Sequence, residues 1–201
     1  MSVSEESVEL QWGIPEEYRQ ATALLFDEAF GTKFVVAVRD TETRVKLLAK
    51  VMRLEHGLGA FRKGELVGLA GIHTKEKSMT SSIALGRLIR ELGLFAGIWA
   101  AFIFSLYEQK LSPLESHLDD LAVSSRFRSQ GIGSQLLTEV EAYAMREGFS
   151  HVRLEVINDN SRARTLYESK GYVATKTESF KYLSWLLGFG GLTTMVKRVD
   201  S

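Results

Sequence analysis

The chain has 201 residues, 45% of them apolar and 25% charged, with 25 basic side chains against 25 acidic ones. That length suits one domain, or one domain with a sizeable insertion, and the composition excludes a disordered chain or a coiled coil. A formal net charge of zero argues against a protein that wraps nucleic acid. The absence of cysteine excludes a disulfide scaffold, a cysteine nucleophile and thiolate-bound zinc.

The start, MSVSEESVELQWG, is acidic and polar and lacks the features of a secretory leader, so a cytoplasmic protein is expected. Ser7 to Trp12 alternates apolar and polar residues and predicts a short strand. Pro15-Glu16-Glu17 opens a helix, with proline in the first turn and carboxylates at the positive end of the dipole. That helix is expected to stop at Gly31. A second helix is expected from Glu42 to His56, ended by the breaker Gly57-Leu58-Gly59. Ala60 to Lys63 and Leu66 to His73 flank Gly64-Glu65 as a hairpin, although the usual order of turn residues is inverted.

Ser82 to Lys110 is helical in composition and includes Leu92 to Tyr107, 16 residues without a charge. As a helix that run is about 24 Å long, short of the roughly 30 Å hydrocarbon core. A buried or surface-docked helix is expected rather than a span. His117 to Val123 predicts a strand, Gly133 to Glu147 a helix, and His151 to Val156 a strand. Asn160 to Lys170 predicts a helix closed by Gly171. Tyr172 to Thr177 and Leu192 to Val199 predict the last strands, with the apolar stretch FKYLSWLLGFGG between them.

The chemistry concentrates in His117 to Glu147. The strand Leu121-Ala122-Val123 runs into a polar loop, Arg128-Ser129-Gln130-Gly131-Ile132-Gly133, and then a long amphipathic helix. A helix N-terminus offers unpaired N–H groups and about half a positive charge. Gly131 and Gly133 let a ligand approach the backbone closely. The combination is a phosphate cradle. It is not the dinucleotide fingerprint, because Leu136 holds the third glycine position, and the Gly-Lys-Ser/Thr of a P-loop is absent.

The remaining pattern, R-x-x-G-x-G, resembles the acetyl-CoA signature of the GNAT superfamily of N-acyltransferases. The resemblance extends to a second motif in the right order: Asn160, Ala163, Leu166-Tyr167-Glu168 and Gly171-Tyr172 follow the strand HVRLEV. The clear match runs from about Leu118 to Thr175. It implies an α/β fold of mixed α+β type: a central, twisted, mostly antiparallel sheet of about seven strands flanked by helices. The chain is read as one such domain, residues 1–201, with a helical insertion at 79–112 that the minimal fold lacks.

The resemblance also implies roles. Backbone N–H groups of Gln130, Gly131, Ile132, Gly133 and Ser134 would take the pyrophosphate of acetyl-CoA, with Arg128 beside them or only bracing the loop. A bulge would splay the strand Leu121-Ala122-Val123 from its neighbour, so that the Leu121 N–H polarises the thioester carbonyl and the Val123 backbone pairs with the pantetheine. Asn160 would contact the coenzyme while capping its helix, and Arg164 is a candidate for a phosphate. Tyr167 stands where the family's general acid lies.

Alternation places His117, Asp119 and Leu121 on one strand face. His117 is the first candidate for general base, and Asp119 would orient it or act through water. Asp120 is expected on the opposite face in a structural role. No carboxylate or histidine cluster has metal-ligand spacing, so no metal is expected.

The expected activity is acetyl transfer from acetyl-CoA to a primary amine of a small-molecule or peptidic acceptor, by direct attack in a ternary complex. The alternatives are an acyl-CoA-binding sensor without catalysis and a membrane-associated acyltransferase using a longer acyl chain. Aromatic residues within 92–107 and 180–192 favour an acceptor with an apolar part. They also admit an extra core, a homodimer face or peripheral membrane contact. Nucleic acid is not an expected partner.

Overall fold

A computed structural model describes residues 7–35, 37–74, 78–80, 85–95, 97–98, 114–180, 184 and 189–200. Seven strands form one sheet: β1 Glu9–Trp12, β2 Gly57–Arg62, β3 Glu65–His73, β4 Glu115–Val123, β5 His151–Ile157, β6 Val173–Ser179 and β7 Gly191–Arg198. The helices are α1 Arg19–Phe34, α2 Thr41–Val51, α3 Leu85–Leu92, α4 Ile132–Arg146 and α5 Ser161–Ser169. The strand order is β1-β2-β3-β4-β5-β7-β6. Every pair is antiparallel except β4–β5. This is the sheet that the resemblance implied.

Each face of the sheet carries its own core. On one side Ile132, Leu136, Leu137 and Val140 of α4 and Tyr167 of α5 pack on Ala70, Ile72, Leu118 and Leu154. On the other, Ala23 and Phe26 of α1 and Val45 of α2 pack on Leu66, Leu69, Met79 and Ala122. The alternation of strand side chains divides β3 and β4 between these two layers.

Several boundaries differ from expectation. Helix α1 continues through Gly31 to Phe34. A Cβ there would lie 2.7 Å from Asp27 Oδ1, so the glycine makes room for a carboxylate instead of ending the helix. Gly57 and Gly59 do not break the chain; they lie inside β2. A side chain at Gly57 would meet the Met79 sulfur at 2.6 Å, and one at Gly59 the Phe61 ring at 2.5 Å. Helix α2 ends at Val51, and Leu54–His56 forms a separate 3₁₀ turn. The hairpin turn is Lys63-Gly64, with φ of 52° and 74°. Two consecutive left-handed residues make the tight hairpin turn in its usual order, with glycine second.

Of the expected insertion 79–112, residues 79–80, 85–95 and 97–98 are described, while 81–84, 96 and 99–112 lie outside the described residues, as do 181–183 and 185–188. Among the described residues no helix is long and apolar enough to cross a membrane.

The carboxylate accommodated by Gly31 is half of a buried ion pair. Arg44 donates from Nε to Asp27 Oδ1 at 2.6 Å and from Nη2 to Oδ2 at 2.9 Å, and both side chains are 8% exposed. The guanidinium also donates to the Val38 and Arg39 carbonyls, so it ties α1 to the chain entering α2. Arg44→Met should leave the Asp27 carboxylate buried without its partner. The expected loss is about 3–5 kcal/mol, read as a lower denaturant midpoint at unchanged slope. A loss under about 1 kcal/mol would place the pair among solvated ion pairs.

Candidate active site

The site begins where the parallel pair parts. Strands β4 and β5 are in register from Glu115↔His151 to Leu118↔Leu154, and their pairing ends there. Beyond that point β4 keeps its other neighbour, from Asp120↔Gly71 to Val123↔Gly68. The Ser124 N–H donates to the Val67 carbonyl on β3, at 2.9 Å. Amides alternate in direction along a strand, so those of Leu121 and Val123 face away from β3, into the fork. Among the described residues the fork therefore presents an unpaired strand edge, the kind of edge to which an extended ligand adds.

A bulge changes the face assignment in β4. The β3–β4 register slips between Gly71 and Ile72, leaving Asp119 as the extra residue. Leu118, Leu121 and Val123 therefore pack in the α4 layer, while Ala122 packs in the α1 layer. The expectation that Leu121 shares a face with His117 and Asp119 is overturned. So is the placement of Asp120 opposite them. Asp120 lies on the α1 side, 8% exposed, with the Thr80 hydroxyl 3.3 Å from its Oδ2. Gly71 is the residue across from it, and a Cβ there would stand 3.1 Å from that same oxygen.

His117 and Asp119 do meet. His117 Nδ1 lies 2.5 Å from Asp119 Oδ1. The His117 ring is buried, and its Nε2 has no hydrogen-bond partner among the described residues. An ionised carboxylate only accepts, so Nδ1 carries a proton, and in the neutral ring the lone pair is on Nε2. A buried acceptor left without a donor is costly in a finished fold, and it suits a nitrogen that receives a proton from a ligand. Asp119 is held below the usual carboxylate range. Burial opposes this, and hydrogen bonds from His117 and His73 outweigh it.

Tyr167 projects from α5 in the α4 layer, 7% exposed, with its ring centroid 5.9 Å from that of Tyr172. Burial pushes its hydroxyl up to about 12, and the charge of Asp120 adds to the shift. Asp120 thus acts electrostatically on Tyr167 although the two belong to opposite layers.

At the other end of β4, Gly131 caps α4 with φ of 78° and ψ of −3°. Ser129, two residues earlier, is also left-handed, at φ 64°. Left-handed residues next to a helix N-terminus turn successive N–H groups toward one point. Two arginines hold the loop's side chains: Arg62 donates to Gln130 Oε1 at 2.5 Å and Arg162 to Ser129 Oγ at 2.9 Å. A Cβ on Gly133 would sit 3.4 Å from Leu166 Cδ2 and 3.7 Å from Val123 Cγ2. The second glycine thus lies between helix α5 and the fork. Ile132 is 1% exposed, so only its backbone can serve a ligand.

The structure gives three other candidate side chains internal partners. Arg128 Nε donates to the Val123 carbonyl at 3.1 Å, and its Nη2 is 3.6 Å from Glu28. Asn160 Oδ1 accepts from the Ala163 N–H at 3.1 Å and caps α5. Arg164 pairs with Glu168 one turn along the same helix, at 2.8 Å. The sequence reading missed His73 and Asp120. Neither the place of the bulge at Asp119 nor the pairing of His73 with His117 leaves a local pattern.

A mixed sheet forked at its parallel pair, with a glycine-capped helix start beyond the fork, is a fold shared with solved N-acetyltransferases. One of them is the PaiA N-acetyltransferase of Thermoplasma acidophilum in complex with coenzyme A. It matches at a TM-score of 0.58 and 16% identity, over 96% of this chain and 99% of that one. The family model described as "Acetyltransferase (GNAT) family" matches residues 22–172, and the chain belongs to that family. The chain is also similar to thialysine N-epsilon-acetyltransferases. Identity with the Bos taurus protein is 40% over 55 residues, covering 27% of this chain and 32% of that one. For Mus musculus it is 32% over 100 residues, covering 50% and 53%. The matches thus span about a third to a half of these curated relatives.

Proposed function

We propose that the protein transfers an acetyl group from acetyl-CoA to a primary amine by direct attack in a ternary complex. The observation that carries this reading is the fork: two backbone amides of β4 face a gap that begins where β5 departs and leads to the Gly131 cap. An extended chain ending in a diphosphate fits such a gap, pairing along β4 and placing its anion on the helix N-terminus. The backbone N–H groups of Gln130 to Ser134 hold the diphosphate, and those of Leu121 and Val123 align the chain. The side chains of Arg128 and Asn160 shape the loop and cap the helix. Arg164, paired with Glu168, is the weakest of the candidate contacts.

In the transfer a C–N bond forms and the C–S bond breaks. The Leu121 N–H supports the negative charge that grows on the carbonyl oxygen. The amine proton passes to His117 Nε2, with Asp119 fixing the ring and its tautomer. Tyr167 gives its proton to the departing sulfur. Desolvation that raises the tyrosine also raises a thiolate formed beside it, so both partners shift in the same direction. Burial, with the charge of Asp120 adding to it, favours the protonated form of Tyr167. The α1 face, where His117, Asp119 and Asp120 lie, is the acceptor side.

The test is a CoA-release assay over a panel of amines with acetyl-, butyryl- and palmitoyl-CoA. Amine-dependent release from acetyl-CoA is expected, with acceptors that carry an apolar part preferred. Binding without release would favour the sensor, and release only from palmitoyl-CoA the long-chain enzyme.

A further inference from the structure

Asp119 has two oxygens and two histidines. Its Oδ1 lies 2.5 Å from His117 Nδ1, and its Oδ2 lies 3.3 Å from His73 Nδ1. His73 and His117 are direct cross-strand partners on β3 and β4, at the last pair before the bulge. The bulge makes this three-way contact. By inserting Asp119 as an extra residue it turns the carboxylate back between two rings that a regular ladder would set side by side. The side chains grade from 6% exposed at His117 through 19% at Asp119 to 28% at His73. The inner ring ends in an unpartnered Nε2, while the outer one reaches solvent.

We propose that His73 is a positioning residue that sets the proton affinity of His117 through the carboxylate they share. This rests on the reading of His117 as the base. A carboxylate serving one imidazole gives it the whole of its charge. A second N–H donor on the other oxygen draws part of that charge away, and a second positive ring repels the first. Both effects have the same sign, so His73 lowers the affinity of His117 for a proton.

Other charges face the pair. From β5, Arg153 stands in register with His117, with Glu155 3.4 Å from it. On β4 itself Asp120 follows Asp119. Helix α1 packs on both strands and brings Asp27, committed to Arg44, and Glu28, which accepts from the Ser125 N–H. All of these groups are present in both proteins of a comparison at position 73.

The test is an imidazole-resolved NMR titration of the full chain, with the pH profile of kcat/KM measured on the same protein. In wild type, the His117 signal should respond in two steps, one of them coincident with the titration of His73. In His73→Phe it should titrate in a single step moved up by about one pH unit, the size at which coupled sites separate. His73→Gln keeps a donor without the charge and should fall between the two. An acidic limb of kcat/KM that His117→Gln abolishes should move up with the His117 signal. Independent single steps in wild type would overturn the proposal without any variant, and so would an unmoved His117 midpoint in folded His73→Phe. If the His117 signal moves and the kinetic limb stays, the coupling stands and His117 loses the role of base.

Discussion

Tyr167→Phe should lower kcat by about 10²–10⁴, the usual contribution of a positioned acid, and leave acetyl-CoA affinity nearly unchanged. The ring does the packing: it is 7% exposed in the α4 layer and lies against Tyr172. Phenylalanine keeps that packing and removes only the hydroxyl, so fold and coenzyme affinity should survive. The chemical step loses its proton donor, and the thiolate must leave uncompensated in a dry site. With the hydroxyl raised to about 12, the wild-type profile should also show no basic limb from Tyr167 below about pH 10, since the group stays protonated there. A change under threefold, on a rate limited by chemistry, would reduce Tyr167 to a packed aromatic residue.

Gly133→Val should weaken acetyl-CoA binding by roughly 10²–10⁴. That corresponds to losing two hydrogen bonds to a charged group at about 1.5–3 kcal/mol each. A Cβ alone at Gly133 meets Leu166 and Val123 at ordinary contact distance, so Gly133→Ala should fold normally and bind with intermediate affinity. The two further methyl groups of valine have only the fork or the α4–α5 contact to enter. Gly131→Val acts differently. Nothing lies within 4 Å of its Cβ position, but the backbone stands at φ of 78°, which disfavours a β-branched residue by about 1–2 kcal/mol. The loop must then turn its N–H groups out of alignment. Calorimetry on folded proteins measures both. Unaltered affinity in Gly133→Val would move the diphosphate site elsewhere.

What could be read from the residues was what local pattern encodes. The strand, polar loop and glycine pair at the start of α4 stand together in sequence, and the capped helix α5 is signalled by Asn160 and Gly171. The mostly antiparallel sheet of about seven strands followed from the resemblance. What escaped was non-local. Gly31 reads as a helix stop by propensity, yet it serves the ion pair that Asp27 makes with Arg44 17 positions later. Gly57 reads as a breaker because the Met79 side chain that needs the space is distant in sequence, and Gly59 because the Phe61 ring folds back over it only once both lie on one strand face. The resemblance carried a bulge in this strand, but not its place at Asp119, and that place decides the facing. One extra residue reverses the facing of all that follows it. It moved Asp120 into the site and turned the side chain of Leu121 out of the face it was expected to share with His117. His73 lay 44 positions from its partner, and only the register of β3 on β4 joins them.

The fork has a mechanical consequence. Strands β1 to β4 form one panel and β5 to β7 another, and within the sheet the two are joined only along the four residue pairs from Glu115↔His151 to Leu118↔Leu154. Helices α4 and α5 span the seam on one layer, through Leu136, Leu137 and Tyr167. The sheet is thus a hinged pair of leaves with its seam open at the end where a ligand would lie. A chain hydrogen-bonded along β4 would lie in that opening like a splint. The coenzyme would then contribute to the cooperativity of the fold as well as to the reaction, and the free protein would open most readily along this line.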